Sequence, residues 1–339
     1  MKKLTLKNKK HFKNRSKTVI RLNKKRKDKH YKAIENFKEK YVKWQSIVFE
    51  DITVPVRFDL KYENCNDVIR FIGDLKKMAD KNIYIQILMD DVEEIGIGAI
   101  AMLLSVINEL AAKKIAIKGT KPKNKIALSV LENSGFFKYL RTTLTETTPN
   151  NKNTFLKTGD NTTPSSEIAK EVRKAMETVW GVEARCPELY GGIMEMVRNS
   201  CDHAFIKNLD PITWHFGLSH LEEENKVKFS FVDNGKGIIK TFTDTILKTI
   251  FQTFKDNADF LCTAFNNGIE SRTGLSWRGK GLPTIFDMYS DGIIKRFIVI
   301  SNDVYIDFDN NIFVTLPINF SGTYYYWEID NACVKKYFI

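Results

Sequence analysis

Along residues 47–132 the apolar positions change period several times. β-Branched residues alternate with polar ones over 47–60, which predicts a strand, and Asn66 is placed to cap a helix running to about Lys81. Further blocks predict a strand at 83–89, an apolar helix at 97–113, a strand at 115–118 and a helix at 125–132. Alternation of this kind predicts an α/β layer. Upstream, 31–45 has helical spacing. Downstream, residues 142–164 are rich in Thr, Asn and Pro, which marks a linker or an exposed hairpin and sets a domain boundary. Beyond it the spacing predicts a helix from Ser165, a second over 187–205, a strand at 227–232, a helix at 283–289, a β-meander over 297–316 and an aromatic strand from Gly322 through Trp327.

Composition fits two globular domains in 339 residues, with 43% hydrophobic and 12% aromatic content. The longest apolar run, 95–107, is too short for a bilayer, which needs roughly 20 residues. No apolar signal core follows the basic N-terminus, so a soluble, cytoplasmic protein is expected. The five cysteines are scattered without a C-x-x-C pair, and are expected as reduced core thiols. Cys201 and His203, two apart, do not make a metal set.

The net charge of +12 is unevenly spread. Of 53 basic and 41 acidic residues, 18 and 3 fall in residues 1–45, leaving 35 basic against 38 acidic in the remainder. This basic arm has too few apolar residues for a core. It could neutralise phosphates of RNA or DNA, meet an anionic membrane surface, or serve as a solvated tail.

Three segments in the second half carry chemistry. Glu195 and Asn199 are four apart on one predicted helix and so share a face, where a carboxylate and an amide could hold a water and a magnesium ion side by side. Asp233 ends a predicted strand and begins Asp-Asn-Gly-Lys-Gly, in which Gly235 and Gly237 let the backbone approach a ligand. Arg278-Gly279-Lys280-Gly281 precedes a helix whose first N–H groups can face an anion. Residues 274–280 also spell the start of a Walker A loop, but Gly281 stands where a Ser or Thr must hold magnesium, and no apolar strand leads in.

In order and separation, these segments resemble the N, G1 and G2 boxes of the GHKL (histidine kinase/HSP90-like) ATPases, and Gly322-Thr323 resembles the Gly-Thr of the last box. The resemblance covers about residues 165–330. It implies an α/β (α+β) fold, a Bergerat-type sandwich of mixed sheet and helices, with ATP and magnesium as ligands. Carried over, Glu195 would be the general base, Asn199 the magnesium ligand and Asp233 the acceptor of the adenine amino group. Gly235 and Gly237 would admit the nucleotide. Arg278, Gly279, Lys280 and Gly281 would cradle phosphates, and Thr323 would reach adenine through water. Asp202 and His203 follow the first box as in several anti-sigma kinases, or cap the helix. Residues 239–277 would form a lid, with Lys255, Arg272 and Arg278 as candidates for contacting the γ-phosphate.

The strand, Asp90–Gly98 turn and apolar helix resemble a STAS domain over about residues 82–140, with a plain α/β layer as the alternative. Phosphorylatable STAS domains carry Ser or Thr where this chain has Ile95, so no phosphate is expected there. The expected organisation is an arm (1–45), a STAS-like layer (46–141), a linker (142–164) and an ATP-binding domain (165–339). A magnesium-dependent ATPase or ATP-gated switch acting on a protein partner or a second copy is the leading function. A serine/threonine kinase of the anti-sigma type, and a nucleic-acid-binding or scaffold protein using ATP as a ligand, are the alternatives.

Overall fold

The structure, a computed structural model, describes residues 48–140, 153–160, 165–203, 213–243, 254–267 and 281–333. The helix expected over 31–45 lies outside them. The chain divides into a unit Met1–Phe49 and a compact unit Glu50–Ile339. The second unit has mixed α/β architecture.

Its first part is a small parallel layer. Strands β1 (Glu50–Thr53), β3 (Ile85–Leu88) and β5 (Ile117–Gly119) pair in the order β1-β3-β5. A separate pair joins β2 (Arg57–Phe58) to β4 (Glu94–Ile95). The single strand expected over 47–60 is thus two short ones. They are separated at Pro55, which has no N–H to give a ladder. Helix α1 (Tyr62–Asp80) starts before the predicted cap at Asn66. Instead, Asp59 accepts hydrogen bonds from the Lys61 N–H (3.1 Å) and Asn64 Nδ2 (2.9 Å) where the helix begins.

Helix α2 (Ile97–Ala112) is buried on nearly all sides, as its unbroken apolar sequence requires. Helix α3 (Lys125–Asn133) is capped by Asn124, whose Oδ1 accepts from the N–H groups of Ile126 and Ala127.

The second part is a five-stranded antiparallel sheet in the order β6-β7-β8-β10-β9. Its strands are β6 (Thr154–Gly159), β7 (Trp214–Leu221), β8 (Lys226–Asp233), β9 (Lys295–Asp307) and β10 (Ile312–Asp330). Strand β6 falls in the segment expected as a linker; the rest of 141–164, apart from Asn153 and Asp160, lies outside the described residues. Strand β7 was not anticipated. Gly322 and Thr323 lie inside β10 and do not begin a strand: the ladder to β9 shifts register between Thr315 and Phe320 and again before Thr323. Pro317 in this stretch is the kind of residue that interrupts a sequence-read strand while sitting at a bulge.

One face of the sheet packs against α4 (Ser165–Trp180), α5 (Pro187–His203), α7 (Asn257–Asn267) and α8 (Gly281–Ser290). Trp327 stacks on Phe229 there, centroids 5.2 Å apart and planes 6° apart. The other face is covered by α1 and α2. Val232, Ile300, Phe320 and Tyr324 share one apolar cluster with α2 and the parallel layer. The large sheet therefore lies between α1 and α2 on one face and α4, α5, α7 and α8 on the other, within one compact unit.

Among the described residues, no helix is long and apolar enough to cross a membrane. None of the five cysteines is in a disulfide; Cys65, Cys186 and Cys333 are buried, and burial pushes the thiols of Cys65 and Cys186 up to about 12 and 11.

Candidate nucleotide site

The candidate residues that the structure describes lie at one end of the sheet, on the face covered by α4, α5, α7 and α8. Asp233 is the last residue of β8, paired in register with Thr323 on β10 and Trp214 on β7. Its Oδ1 accepts the N–H of Gly235 (2.8 Å) and of Thr323 (3.2 Å), and its Oδ2 accepts the hydroxyl of Ser200 on α5 (3.1 Å). Burial raises its pKa from the ordinary carboxylate value, and hydrogen bonds from Gly235, Ser200 and both the backbone and the side chain of Thr323 oppose that rise.

The turn after β8 is held from β9 and β10. Asn302 donates from Nδ2 to the carbonyl of Lys236 (2.8 Å) and accepts the Lys240 N–H (3.1 Å), while Ser301 Oγ accepts the Ile238 N–H (2.7 Å). Ser321 donates to the carbonyl of Gly235 (3.1 Å). Gly237 adopts φ 85° and Gly322 φ 130°, backbone conformations open to glycine. A Cβ on Gly322 would also strike the carbonyl oxygen of Asp233.

Glu195 and Asn199 lie on α5, one turn apart. Glu195 is buried at 9% exposure and forms an ion pair with Arg198. Both residues face the start of α8. A Cβ built on Gly281 would meet Glu195 Oε1, with Glu195 Cδ at 3.0 Å and Asn199 Nδ2 at 3.1 Å. Further along the same helix pair, a Cβ on Gly192 would strike Met288, so α8 runs back along α5 at close range. Buried Tyr325 lies close enough to feel both the Asp233 and Glu195 charges, and burial raises its pKa well above the usual phenol value. Carboxylates from β8 and α5, an amide and a helix N-terminus thus surround one region.

Of the sequence-predicted residues, the structure brings together Glu195, Asn199 and Gly281 in one group and Asp233, Gly235 and Thr323 in another. Ser200 and Tyr325 link the two. Arg278, Gly279 and Lys280 lie outside the described residues, as does Arg272, and the side chains of Asp202 and His203 are likewise not described. Lys255 is exposed, and its N–H donates to Asp259 (3.0 Å).

The expectation that all of 239–277 is a lid needs correction. Helix α6 (Ile238–Thr243) is pinned by Ser301 and Asn302, and α7 packs Phe260, Leu261, Ala264 and Phe265 into the main core. Asn257, at the start of α7, donates to both carboxylate oxygens of Asp303 (2.8 and 2.9 Å). Only 244–253 and 268–280, outside the described residues, separate these anchored helices from their neighbours.

Sequence reasoning did not identify Ser200, Arg198, Ser301 or Asn302. Ser200 directly follows Asn199, so its position beside a candidate ligand was the one available signal. Among the described residues no group of three or more His, Cys, Asp or Glu could hold a metal ion by itself. A magnesium ion here would need oxygens from its ligand as well as Asn199.

Comparison of the chain with protein-family models, with curated proteins and with solved structures finds no match.

Proposed function

We propose that the chain is a magnesium-dependent ATP-binding protein of the GHKL type that hydrolyses ATP slowly, its N-terminal layer being STAS-like. The observation that supports this reading is the meeting of Glu195 and Asn199 with the start of α8, next to a buried Asp233 that Ser200 ties to the same helix.

In this reading Asp233 accepts the adenine amino group, and its internal donors fix the carboxylate in place before the base arrives. The first N–H groups of α8 face phosphate oxygens, where the helix dipole favours negative charge. Asn199 would hold magnesium, whose charge would offset that of the phosphates. Glu195 takes a proton from a water whose oxygen bonds to the γ-phosphorus as the bond to the β–γ bridging oxygen breaks, giving ADP and inorganic phosphate. The Arg198 ion pair holds one Glu195 oxygen, and the other points past Gly281.

The test is ATP turnover by the purified protein with magnesium, wild type beside Glu195→Ala. A positioned general base contributes roughly 10²- to 10⁴-fold, so turnover is expected to fall by at least about 100-fold while ATP still binds. Equal turnover in the two proteins would remove Glu195 from this role. No ATP binding by wild type would end the nucleotide reading.

A further inference from the structure

Directly behind the candidate base pocket, on the opposite face of the sheet, the N-terminal end of α2 lies against β10 and β7 at unusually close range. A Cβ on Gly98 would lie 2.6 Å from Cε2 and 2.8 Å from Cζ of Tyr324 and would also overlap its hydroxyl. A Cβ on Gly217 of β7 would lie 2.9 Å from Cγ1 of Ile97. Two missing side chains, one on the helix and one on the sheet, therefore permit the approach.

Tyr324 is the neighbour of Thr323, whose N–H donates to Asp233, and it pairs in register with Val232 beside Asp233. Its ring is buried at 3% exposure. Just upstream, β10 shifts register against β9 twice, between Thr315 and Phe320 and between Phe320 and Thr323, before Thr323 itself pairs with Ser301 on β9 and Asp233 on β8. Packing of Tyr324 against α2 constrains the same stretch from the back face.

We propose that Gly98 is a positioning residue for the nucleotide pocket, seating α2 against Tyr324 so that Thr323 and Asp233 are held in the geometry that reads the base. This inference rests on the nucleotide reading above and extends it: the N-terminal layer is a structural part of the pocket and sets base selectivity through one packing contact. Coupling runs both ways, so nucleotide binding is expected to tighten α2.

The experiment measures ATP and GTP dissociation constants, with magnesium, for the full chain as wild type, Gly98→Ala and Gly98→Ala/Tyr324→Leu. A packing change transmitted to a site typically shifts affinity by roughly 2- to 30-fold. Gly98→Ala is expected to weaken ATP binding within that range and to lower the ATP over GTP preference. A general loss of structure would weaken both nucleotides alike. The shorter Tyr324→Leu side chain is expected to restore part of both losses.

A second measurement needs no variant to fold. Deuterium uptake over residues 97–102 of the wild-type protein is expected to slow at saturating ATP and magnesium. Unchanged uptake, or a Gly98→Ala protein with wild-type ATP affinity and base preference, overturns the role of Gly98 and leaves the nucleotide reading standing. A wild-type protein that binds no ATP overturns both.

Discussion

Gly281, at the start of α8, faces Glu195 of α5 so closely that a Cβ there would sit 3.0 Å from the Glu195 carboxyl carbon. The neighbour that must yield is the far end of a flexible side chain whose other oxygen is ion-paired to exposed Arg198. Gly281→Ala should therefore displace the carboxylate without unfolding the helix pair. The expected result is a loss of ATP turnover of about tenfold or more with a stability change below the 1–3 kcal/mol typical of overpacked cores. Steady-state turnover beside urea denaturation checks it. Full turnover would show that the Glu195 position is irrelevant to the reaction.

Asp233 makes a second prediction, in which binding and stability separate. Its folded-state pKa is raised, chiefly by burial, so its stabilising contribution is complete below the ordinary carboxylate pKa and is lost as pH rises through the folded value. Ionising Asp233 therefore costs more in the folded protein than in the unfolded chain. Asp233→Asn keeps an oxygen for the Gly235 and Thr323 N–H groups, and the Ser200 hydroxyl can turn to accept from the new amide. The variant should melt no lower than wild type at pH 7.5, and the difference should shrink by pH 4.5, while ATP binding disappears. Retained tight binding would remove Asp233 from the base pocket.

The candidate residues of this site were more legible in the sequence than the framework that holds them. Glu195 and Asn199 show their shared face through spacing alone, and Asp233 announces itself by ending an apolar strand before two glycines. Ser200, Ser301 and Asn302 are ordinary polar residues along the chain. They matter because α5 and β9 deliver them to Asp233 and to the following turn, a tertiary fact with no local signature. Strand β10 escapes for a different reason. Its register shifts and Pro317 break the alternation, so one 19-residue strand reads as the end of a meander and the start of another strand. The apolar helix over 97–113 was legible as a buried element, yet its sequence does not say that one of its faces belongs to the second sheet.

Acid sensitivity follows from His215 on β7. The ring is fully buried, with Nδ1 3.0 Å from Thr158 Oγ1 and no hydrogen-bond partner for Nε2 among the described residues. Burial lowers its pKa from 6.5 to about 3, and burial also lowers that of His220. Such a group favours the folded state above its unfolded pKa, and the contribution is lost as pH falls from about 6.5 toward about 3. The slope for one histidine is about 1.4 kcal/mol per pH unit. Urea denaturation between pH 7 and 5 should show this decline in wild type and a shallower one in His215→Leu. Parallel profiles would mean that His215 becomes charged without unfolding the sheet.

The strongest consequence of the architecture concerns where the chain can be cut. A fragment beginning at Ser165 would lose β6 from the sheet edge and α2 from its back face, exposing Val232, Ile300 and Tyr324 to water. Burying each such side chain contributes about 1.5–3 kcal/mol, so three of them approach the total stability of a typical domain, about 5–15 kcal/mol. The exposed surface would also be one contiguous apolar patch, the kind that drives association. We expect this fragment to aggregate or to melt without cooperativity. A chain beginning at Val48 retains the whole compact unit and should unfold in a single cooperative transition near the full-length melting temperature. Circular dichroism melts of the two truncations decide the matter. A soluble, cooperative fragment from Ser165 would show that the back-face contact with α2 is dispensable for folding, and would leave its role in the pocket to the Gly98 experiment alone.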